Sequence, residues 1–115
     1  MQFIYYPKCS TCLKALKHLK SLGYQVDLRN IVEDTPKKDE LLHMIHQYQQ
    51  GIKPFLNTSG KVYRELHIKE HLDEMSEEEV AELLSQNGML IKRPILIDNH
   101  QIIIGYKEKV YNELL

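Results

Sequence analysis

The chain of 115 residues has no tryptophan, only two cysteines and almost no net charge. Its 15 lysine and arginine residues nearly balance 16 aspartate and glutamate residues, which leaves a formal net charge of -1. This balance gives no general attraction to nucleic acid, so we expect no direct nucleic-acid partner. No apolar run approaches the ~18 residues of a membrane span, and no charged segment followed by an apolar one opens the chain. We therefore expect a cytoplasmic protein without a membrane partner.

The chain also lacks a second cysteine pair or a Cys-x-x-His spacing, which a structural zinc site would need to reach four ligands. Two histidine pairs, His43 with His46 and His67 with His71, do not have the glutamate spacing of a His-Glu-x-x-His protease. We expect no bound metal or cofactor. Repeats, low-complexity tracts and linkers are missing as well, and the length suits one monomeric domain with its own core.

Both cysteines lie in one short segment, Cys9-Ser10-Thr11-Cys12. An apolar run precedes it and an amphipathic helical pattern follows, so the segment should join a strand to the start of a helix. Free backbone N–H groups and the helix dipole favour a thiolate there. Cys9, nearest the helix terminus, is then the expected nucleophile, and Cys12, one turn later on the apolar side, is the expected resolving thiol.

Two other interpretations of this pair remain open, namely two buried apolar cysteines or half of a zinc site. In a reducing cytosol, however, close cysteines serve catalysis or sensing more often than structure. The spacing and the context together favour a redox pair that forms a Cys9–Cys12 disulfide during its cycle.

Periodicity predicts the order of the elements. It indicates strands over residues 2–6 and 26–31 with a helix over 11–22 between them, ended by Gly23. A second helix is predicted to begin at Pro36, with Thr35 as its cap, and to continue to Gly51. Short helical pieces should follow the turn at residues 57–60. Ser76 and Glu79 form a capping box for a helix that stops at Asn87-Gly88.

Near the end of the chain, strands over residues 95–97 and 102–104 flank a turn at Asp98-Asn99-His100, which predicts a β-hairpin. A short helix with Val110, Leu114 and Leu115 closes the chain. A βαβ unit, a helical block and a ββα unit in this order predict an α/β fold, thioredoxin-like, with a four-stranded mixed sheet. We assign residues 1–32 and 89–115 to the thioredoxin-like core and 33–88 to a mainly helical insertion within a single domain.

Arg93-Pro94 lies immediately before the third predicted strand. In a thioredoxin-like order this proline would follow a cis peptide bond beside the dithiol, where backbone groups meet an incoming chain. Arg93 carries a permanent charge that can hold a carboxylate or stabilise a thiolate. Without the fold, Arg93 would be interpreted as an ordinary surface arginine.

Several motifs together resemble the arsenate reductase (ArsC)/Spx/MgsR family over essentially the whole chain. They are the Cys9-Ser-Thr-Cys12 segment with the Leu-Lys-Ala-Leu that follows, the segments at residues 57–64 and 87–98, and Gly105-Tyr106. The resemblance implies a thioredoxin-like fold with a helical insertion. It also implies that Cys9 is the catalytic cysteine and that Arg93 is the arginine before a cis-proline. Ser10, Thr11, Arg93 and Pro94 are the expected substrate contacts.

The positions at which this chain differs from the family pattern allow three candidate functions to be ranked. Arsenate reductases of the glutathione-coupled type have serine at the position of Cys12 and further arginines where this chain has Asn57 and Ile103. Spx regulators bind the RNA polymerase α-subunit; Gly51 matches their contact glycine, whereas Ser59 replaces a nearby arginine, and the sequence at hand ends at Leu115 without their basic tail. We therefore expect a thiol–disulfide oxidoreductase first, a Spx-like regulator second and an arsenate reductase third. The oxidoreductase would act on a protein disulfide or a low-molecular-weight thiol adduct, with a small thiol or a thioredoxin-type reductant as co-substrate.

Overall fold

Four short strands form one mixed sheet in the computed structural model, which describes residues 1–99 and 101–114. The strands are listed in chain order: β1 (Gln2–Tyr5), β2 (Asp27–Asn30), β3 (Ile95–Asp98) and β4 (Gln101–Ile104). Their order in the sheet is β2-β1-β3-β4, with β1 and β2 parallel and the other pairs antiparallel. This confirms the predicted four-stranded mixed sheet.

Six α-helices accompany these strands among the described residues. They are listed in chain order: α1 (Ser10–Ser21), α2 (Lys38–Tyr48), α3 (Lys61–Glu65), α4 (Ile68–His71), α5 (Glu77–Gln86) and α6 (Glu108–Asn112). Three short 3₁₀ turns lie at Lys53–Phe55, Leu72–Glu74 and Gly88–Leu90. None of the described helices is long and apolar enough to cross a membrane.

The chain divides into two compact units. The first comprises Met1–Asn30 and Arg93–Leu115 and holds the sheet, α1 and α6. Its core is formed by a cluster of fully buried side chains: Phe3, Ala15, Leu19, Leu96 and Tyr111. The second comprises Ile31–Lys92 and holds α2 to α5.

Helix α1 supplies the crossover that two parallel strands require. Cys12, Ala15 and Leu19 form its buried face, at the spacing of an amphipathic helix. The helix ends at Ser21, and Gly23 then takes a left-handed conformation with φ of +86°, which a residue without a Cβ adopts without strain. The predicted βαβ unit and the role of Gly23 are therefore confirmed.

The second unit is organised by packing of α2 against α5. Each helix buries an apolar stripe that includes Leu41 and Ile45 on α2 and Val80 and Leu84 on α5. The capping box of α5 is present, because Ser76 Oγ accepts from the N–H of Glu79 and the Glu79 carboxylate accepts from the N–H of Ser76. The helix ends at Gln86 with Asn87 as its cap residue, in agreement with the predicted stop at Asn87-Gly88.

The predicted bounds of α2 were wrong at both ends. Thr35 does not cap the helix, because its hydroxyl donates instead to the carbonyl of Ile31 over 2.6 Å. The helix therefore begins at Lys38 after the cap residue Lys37, and Glu40 accepts from the Lys37 N–H. At the other end Gln49 adopts the left-handed conformation with φ of 58°, which stops the helix before Gly51.

The hairpin of β3 and β4 is confirmed, with Asp98 paired to Gln101 at its tip. Asn99 has a positive φ of 50°, as tight hairpin turns require. His100, the last residue of the predicted turn, lies outside the described residues, and so does Leu115 of the predicted C-terminal helix. A short helix with Val110 is present as α6, but it ends at Asn112, so the prediction that Leu114 belongs to it was wrong.

Candidate redox site

Cys9 occupies the N-cap position of α1. Its backbone is extended, with φ of -93° and ψ of 113°, and its Sγ accepts a hydrogen bond from the backbone N–H of Cys12 over 3.4 Å. The N–H of Cys9 itself donates to the carbonyl of Tyr6 over 3.0 Å, which fixes the turn between β1 and α1. A capping position is normally held by an oxygen, and here a half-exposed sulfur fills it.

Cys12 lies one helical turn further along and is completely buried. Burial raises the pKa of its thiol to about 12, and the neighbouring Cys9 thiol adds to this effect; a backbone hydrogen bond from Tyr6 offsets it in part. Both cysteines are free thiols. The two sulfurs thus share one turn of helix but differ sharply in their access to solvent.

The pKa of Cys9 is lowered, because several stabilising contacts outweigh one opposing effect. Burial raises it, but hydrogen bonds from the thiol and the backbone N–H of Cys12 favour the thiolate. The charge of Arg93 and the N–H of Thr11 act in the same direction. Because the thiolate is the nucleophilic form, this environment increases the reactivity of Cys9.

Arg93 lies over the ring of Tyr6, with its guanidinium carbon 5.4 Å from the ring centroid. The pairing of β1 with β3 explains this contact. Phe3 pairs with Leu96 and Ile4 with Ile95, and the same register continued by two residues places Tyr6 opposite Arg93. The predicted sites missed Tyr6, although an aromatic residue just after β1 was the signal that could have identified it.

The other predicted substrate contacts have different surroundings. Ser10 and Thr11 are exposed in the first turn of α1, beside Cys9. Pro94 is buried, and the Arg93-Pro94 peptide bond is cis, as expected from the fold. The carbonyl of Pro94 accepts from the N–H of Gly105 over 2.8 Å, so it already has a partner within the first unit.

The first turn of α1 contains no acidic side chain. The two other long helices differ in this respect, since α2 has Asp39 and Glu40 in its first turn and α5 has three glutamates. Carboxylates at these positions normally compensate the positive end of the helix dipole. In α1 the sulfur of Cys9 is the group placed to carry that negative charge.

A polar and aromatic cluster joins α1 to α6, and no sequence motif indicates it. His18 Nδ1 lies 2.8 Å from the Tyr106 hydroxyl, and His18 Nε2 lies 2.8 Å from Asn112 Oδ1. The Tyr111 ring stacks on His18 with centroids 5.8 Å apart and meets Tyr106 edge-on at 4.9 Å.

Histidines do not form a metal site in the part of the chain that the structure describes, where no group of three or more suitable ligands occurs. His43 and His46 are both exposed, and His46 pairs with Glu77 over 2.6 Å. His67 and His71 are exposed too.

Of the positions singled out by the resemblance, Gly51, Asn57 and Ser59 lie in the second unit. Asn57 donates from its amide to the carbonyl of Met89 over 3.4 Å and accepts from the Ser59 hydroxyl. Gly51 is exposed and left-handed, with φ of +86°. Ile103, in the first unit, packs against the core cluster as an apolar residue.

A thioredoxin-like sheet with a dithiol at the start of its crossover helix defines the class of this protein. The ArsC family model matches residues 4–114. The chain belongs to the ArsC family.

Curated relatives and solved structures agree with this assignment. YusI of Bacillus subtilis is 44% identical over 98% of this chain and 96% of its own length. The regulatory protein MgsR of B. subtilis is 33% identical over 92% of this chain and 82% of its own. The global transcriptional regulator Spx of Streptococcus mutans is 33% identical over 89% of this chain and 73% of its own. The crystal structure of an ArsC family related protein from Bacteroides fragilis has a TM-score of 0.91 at 39% identity, covering 97% of this chain and 94% of that one.

Proposed function

We propose that this chain is a thiol–disulfide oxidoreductase in which Cys9 attacks and Cys12 resolves. The observation that supports this most strongly is the asymmetry of the two thiols. Cys9 is half-exposed with a lowered pKa, whereas Cys12 is fully buried with a pKa raised to about 12. An accessible thiolate suits the first attack, and a buried protonated thiol stays unreactive until a mixed disulfide forms next to it.

The reaction balances in two exchanges. The Cys9 thiolate attacks one sulfur of a disulfide RS–SR′, so that the Cys9–SR bond forms and R′S⁻ leaves. Cys12 then loses its proton and attacks Cys9 Sγ; the Cys9–Cys12 bond forms, the Cys9–SR bond breaks, and RS⁻ leaves and takes up a proton. The substrate disulfide is reduced by two electrons and the protein dithiol is oxidised by the same two.

Arg93 is proposed to support the first exchange by stabilising the Cys9 thiolate, consistent with its effect on the pKa of Cys9. The exposed hydroxyls of Ser10 and Thr11 are available to contact the incoming substrate beside the sulfur. Pro94 would contribute mainly its ring, because its carbonyl already accepts from Gly105.

A reduced dithiol must be regenerated after each turnover. We propose that a low-molecular-weight thiol or a thioredoxin-type protein supplies the two electrons by the same exchange chemistry in reverse order. A cytoplasmic location fits this cycle, because the cytosol keeps such reductants reduced.

The test uses the two single-cysteine variants in cells that make this protein. We expect Cys12→Ser to accumulate a mixed disulfide on Cys9, detected as a mass increase by intact-protein mass spectrometry, which also identifies the attached thiol. Cys9→Ser is the matched control and should stay unmodified, since buried Cys12 does not initiate attack. An unmodified Cys12→Ser protein after oxidant treatment would refute the proposal.

A redox-gated regulator is the second candidate, and the identity to MgsR and Spx favours it. In that case the Cys9–Cys12 pair would be a switch, and exposed Gly51 in the second unit would be part of a contact with the RNA polymerase α-subunit. We would measure binding of the α C-terminal domain to the reduced and the oxidised protein, with Gly51→Arg as a variant of the contact. No binding in either redox state excludes this function.

Arsenate reduction ranks third for this chain. An arsenate oxyanion needs several positive donors, and Asn57 and Ile103 cannot supply a guanidinium at positions where arginines were expected. Incubation with arsenate and each thiol system, followed by measurement of arsenite, tests this alternative directly.

A further inference from the structure

Strand β2 lies at an edge of the sheet, where β1 is its one neighbouring strand among the described residues. The N–H of Asp27 donates to the carbonyl of Met1 over 2.9 Å, so the backbone of Asp27 faces β1. Because the backbone groups of consecutive strand residues point to opposite sides, the N–H and the carbonyl of Leu28 point away from β1. These two groups therefore face outward at an open edge of the sheet.

The side chain of Leu28 is exposed beside this edge, with 50% of its surface accessible. It lines a groove of about 230 Å³ beside α1, whose lining residues are Leu16, Lys20, Tyr24, Gln25, Val26 and Leu28. Leu16, Tyr24 and Val26 also pack against the core cluster, so the floor of the groove is apolar and well supported. An apolar groove along an open strand edge is a typical place for another strand to join a sheet.

Two opposite charges flank Leu28 within β2, because Asp27 precedes it and Arg29 follows it. Their side chains lie on the face of the strand opposite to Leu28. In an antiparallel pair of two β2 strands centred on Leu28, Asp27 of each copy lies opposite Arg29 of the other. The backbone groups of these two residues face β1, so this is a non-hydrogen-bonded pair, in which opposed side chains approach most closely. The strand is thus complementary in charge to a second copy of itself.

Other pairings of the sheet edges lack this complementarity. A parallel pair of β2 strands in register would place Asp27 beside Asp27 and Arg29 beside Arg29, and like charges in such positions repel. At the other edge of the sheet, β4 has the sequence Gln-Ile-Ile-Ile and carries no charged side chain. The charges therefore select an antiparallel partner at β2.

We propose that β2 binds a second copy of this chain, in an antiparallel pair centred on Leu28 that joins the two four-stranded sheets across a twofold axis. The N–H of Leu28 in each copy donates to the Leu28 carbonyl of the other, and the two Leu28 side chains meet beside the grooves. The chain is then a dimer at sufficient concentration, in place of the monomer expected from its length. No cysteine takes part, so the proposal is independent of the thiol chemistry.

Sedimentation equilibrium of the full chain over a series of concentrations measures the dimer directly, with a reductant present so that no intermolecular disulfide forms. We compare the wild type with Asp27→Lys, which gives β2 two positive charges, and with Arg29→Glu, which gives it two negative charges. Each variant alone is expected to dimerise about tenfold more weakly, since two attractive pairs become repulsive. Circular dichroism and urea unfolding verify that each variant is folded.

An equimolar mixture of the two variants is the decisive sample. In the mixed pair, the lysine introduced at position 27 of one chain faces the glutamate introduced at position 29 of the other. The native Asp27 and Arg29 that remain also face each other. We expect the mixture to form a heterodimer about as strongly as the wild type dimerises. A defect in folding could not be repaired by mixing, so this recovery reports the pairing itself.

The apolar part of the contact is tested by Leu28→Ser, which should also weaken the dimer because less apolar surface is buried. Leu66→Ser is the matched control, since Leu66 is exposed to a similar extent, 45%, and belongs to the second unit. It should dimerise as the wild type does. Equal weakening in both variants would contradict a contact at Leu28.

Three further results would overturn the proposal. The first is a wild-type chain that stays monomeric at every concentration. The second is dimerisation of Asp27→Lys and Arg29→Glu at wild-type strength, which would mean that the copies meet elsewhere. The third is weak association of the mixture, which would exclude the antiparallel register centred on Leu28. None of these results bears on the proposed oxidoreductase function, which the cysteine variants test separately.

Discussion

The guanidinium carbon of Arg93 lies 5.4 Å from the centre of the Tyr6 ring, and the charge of this arginine lowers the pKa of the Cys9 thiol. The two effects are connected through the sheet. The antiparallel register of β1 and β3 places residues 6 and 93 opposite each other, so the aromatic ring can hold the guanidinium near the start of α1. Tyr6 thereby helps to hold the Arg93 guanidinium in a position from which its charge favours the Cys9 thiolate.

We expect Arg93→Ala to slow alkylation of Cys9 by iodoacetamide about threefold at neutral pH, because a partly exposed thiolate loses one nearby charge. Arg93→Lys should retain part of the rate, since the charge remains but the flat contact with Tyr6 is lost. Peptide mass spectrometry of the alkylated protein gives the rate at Cys9 alone. An Arg93→Ala protein that reacts as fast as the wild type would exclude this role for the arginine.

The two cysteines should make stability depend on pH in opposite directions. The lowered pKa of Cys9 contributes stability above the unfolded value, which is lost as pH falls through the folded pKa. The raised pKa of Cys12 contributes stability below its ordinary value of 9.0, which is lost as pH rises towards about 12. In that upper window the free energy of unfolding should fall by up to about 1.4 kcal/mol per pH unit.

Urea unfolding of the reduced protein at a series of alkaline pH values measures this slope. Cys12→Ala is the control, and it should give a flatter dependence above pH 9.0 because the buried ionisable thiol is gone. Tyr111 is present in both proteins, so the part of its ionisation that does not depend on Cys12 cancels in the comparison. Identical slopes would contradict the prediction for Cys12.

The hydroxyls of Tyr106 and Tyr111, in the α1–α6 cluster, should contribute differently to the stability of the protein. Tyr106→Phe removes a hydrogen bond to His18 and should lower the free energy of unfolding by about 0.5–1.5 kcal/mol. Tyr111→Phe removes a buried hydroxyl without a partner among the described residues, so stability should stay the same or rise by about 1 kcal/mol. Thermal or urea unfolding of the reduced proteins checks both values; a large loss for Tyr111→Phe would mean that its hydroxyl is bonded in the folded protein.

Gly88 should not tolerate a side chain in the second unit. A Cβ there would lie 2.5 Å from the Ile31 carbonyl oxygen and 3.1 Å from Thr35 Oγ1, and neither the backbone nor the bonded hydroxyl yields easily. We expect Gly88→Ala to cost about 1–3 kcal/mol of unfolding free energy. In Gly60→Ala the first contact is with the flexible amide of Asn57, so this matched variant should cost less. Urea unfolding of both variants compares them, and an equal cost would contradict the argument.

Much of the first unit could be predicted from its sequence, because local and tertiary preferences agree there. The apolar spacing of α1 and the glycine after it specify the same helix that the parallel strands require. The start of α2 could not be predicted from the local pattern, because the Thr35 hydroxyl has two possible roles. It can accept from a helix N–H as a cap, or it can donate to a preceding backbone carbonyl. The structure shows the second of these, because the Thr35 hydroxyl donates to the carbonyl of Ile31.

The candidate site likewise has features that the sequence predicts and features that it does not. Cys9 and Cys12 are three positions apart in the sequence, so their placement on one helical turn followed from spacing alone. The contact between His18 and Tyr106 could not be found in this manner, since 88 residues separate the two and no motif links them. Contacts of this kind depend on tertiary packing, which a single sequence does not display. The roles assigned to the cysteines and to Arg93 remain predictions.

In the proposed redox reaction, the first turn of α1, which has no carboxylate, would couple the redox state of Cys9 to the stability of the helix. A thiolate on Cys9 compensates the helix dipole by about 0.3–1 kcal/mol, as the acidic residues of α2 and α5 do permanently. Once Cys9 forms a disulfide with another sulfur, it no longer carries a negative charge, and the positive end of the α1 dipole is no longer compensated. Each cycle of the proposed reaction would therefore alternately stabilise and destabilise the N-terminal turn of α1, so that a partner protein could sense oxidation as a change in local order.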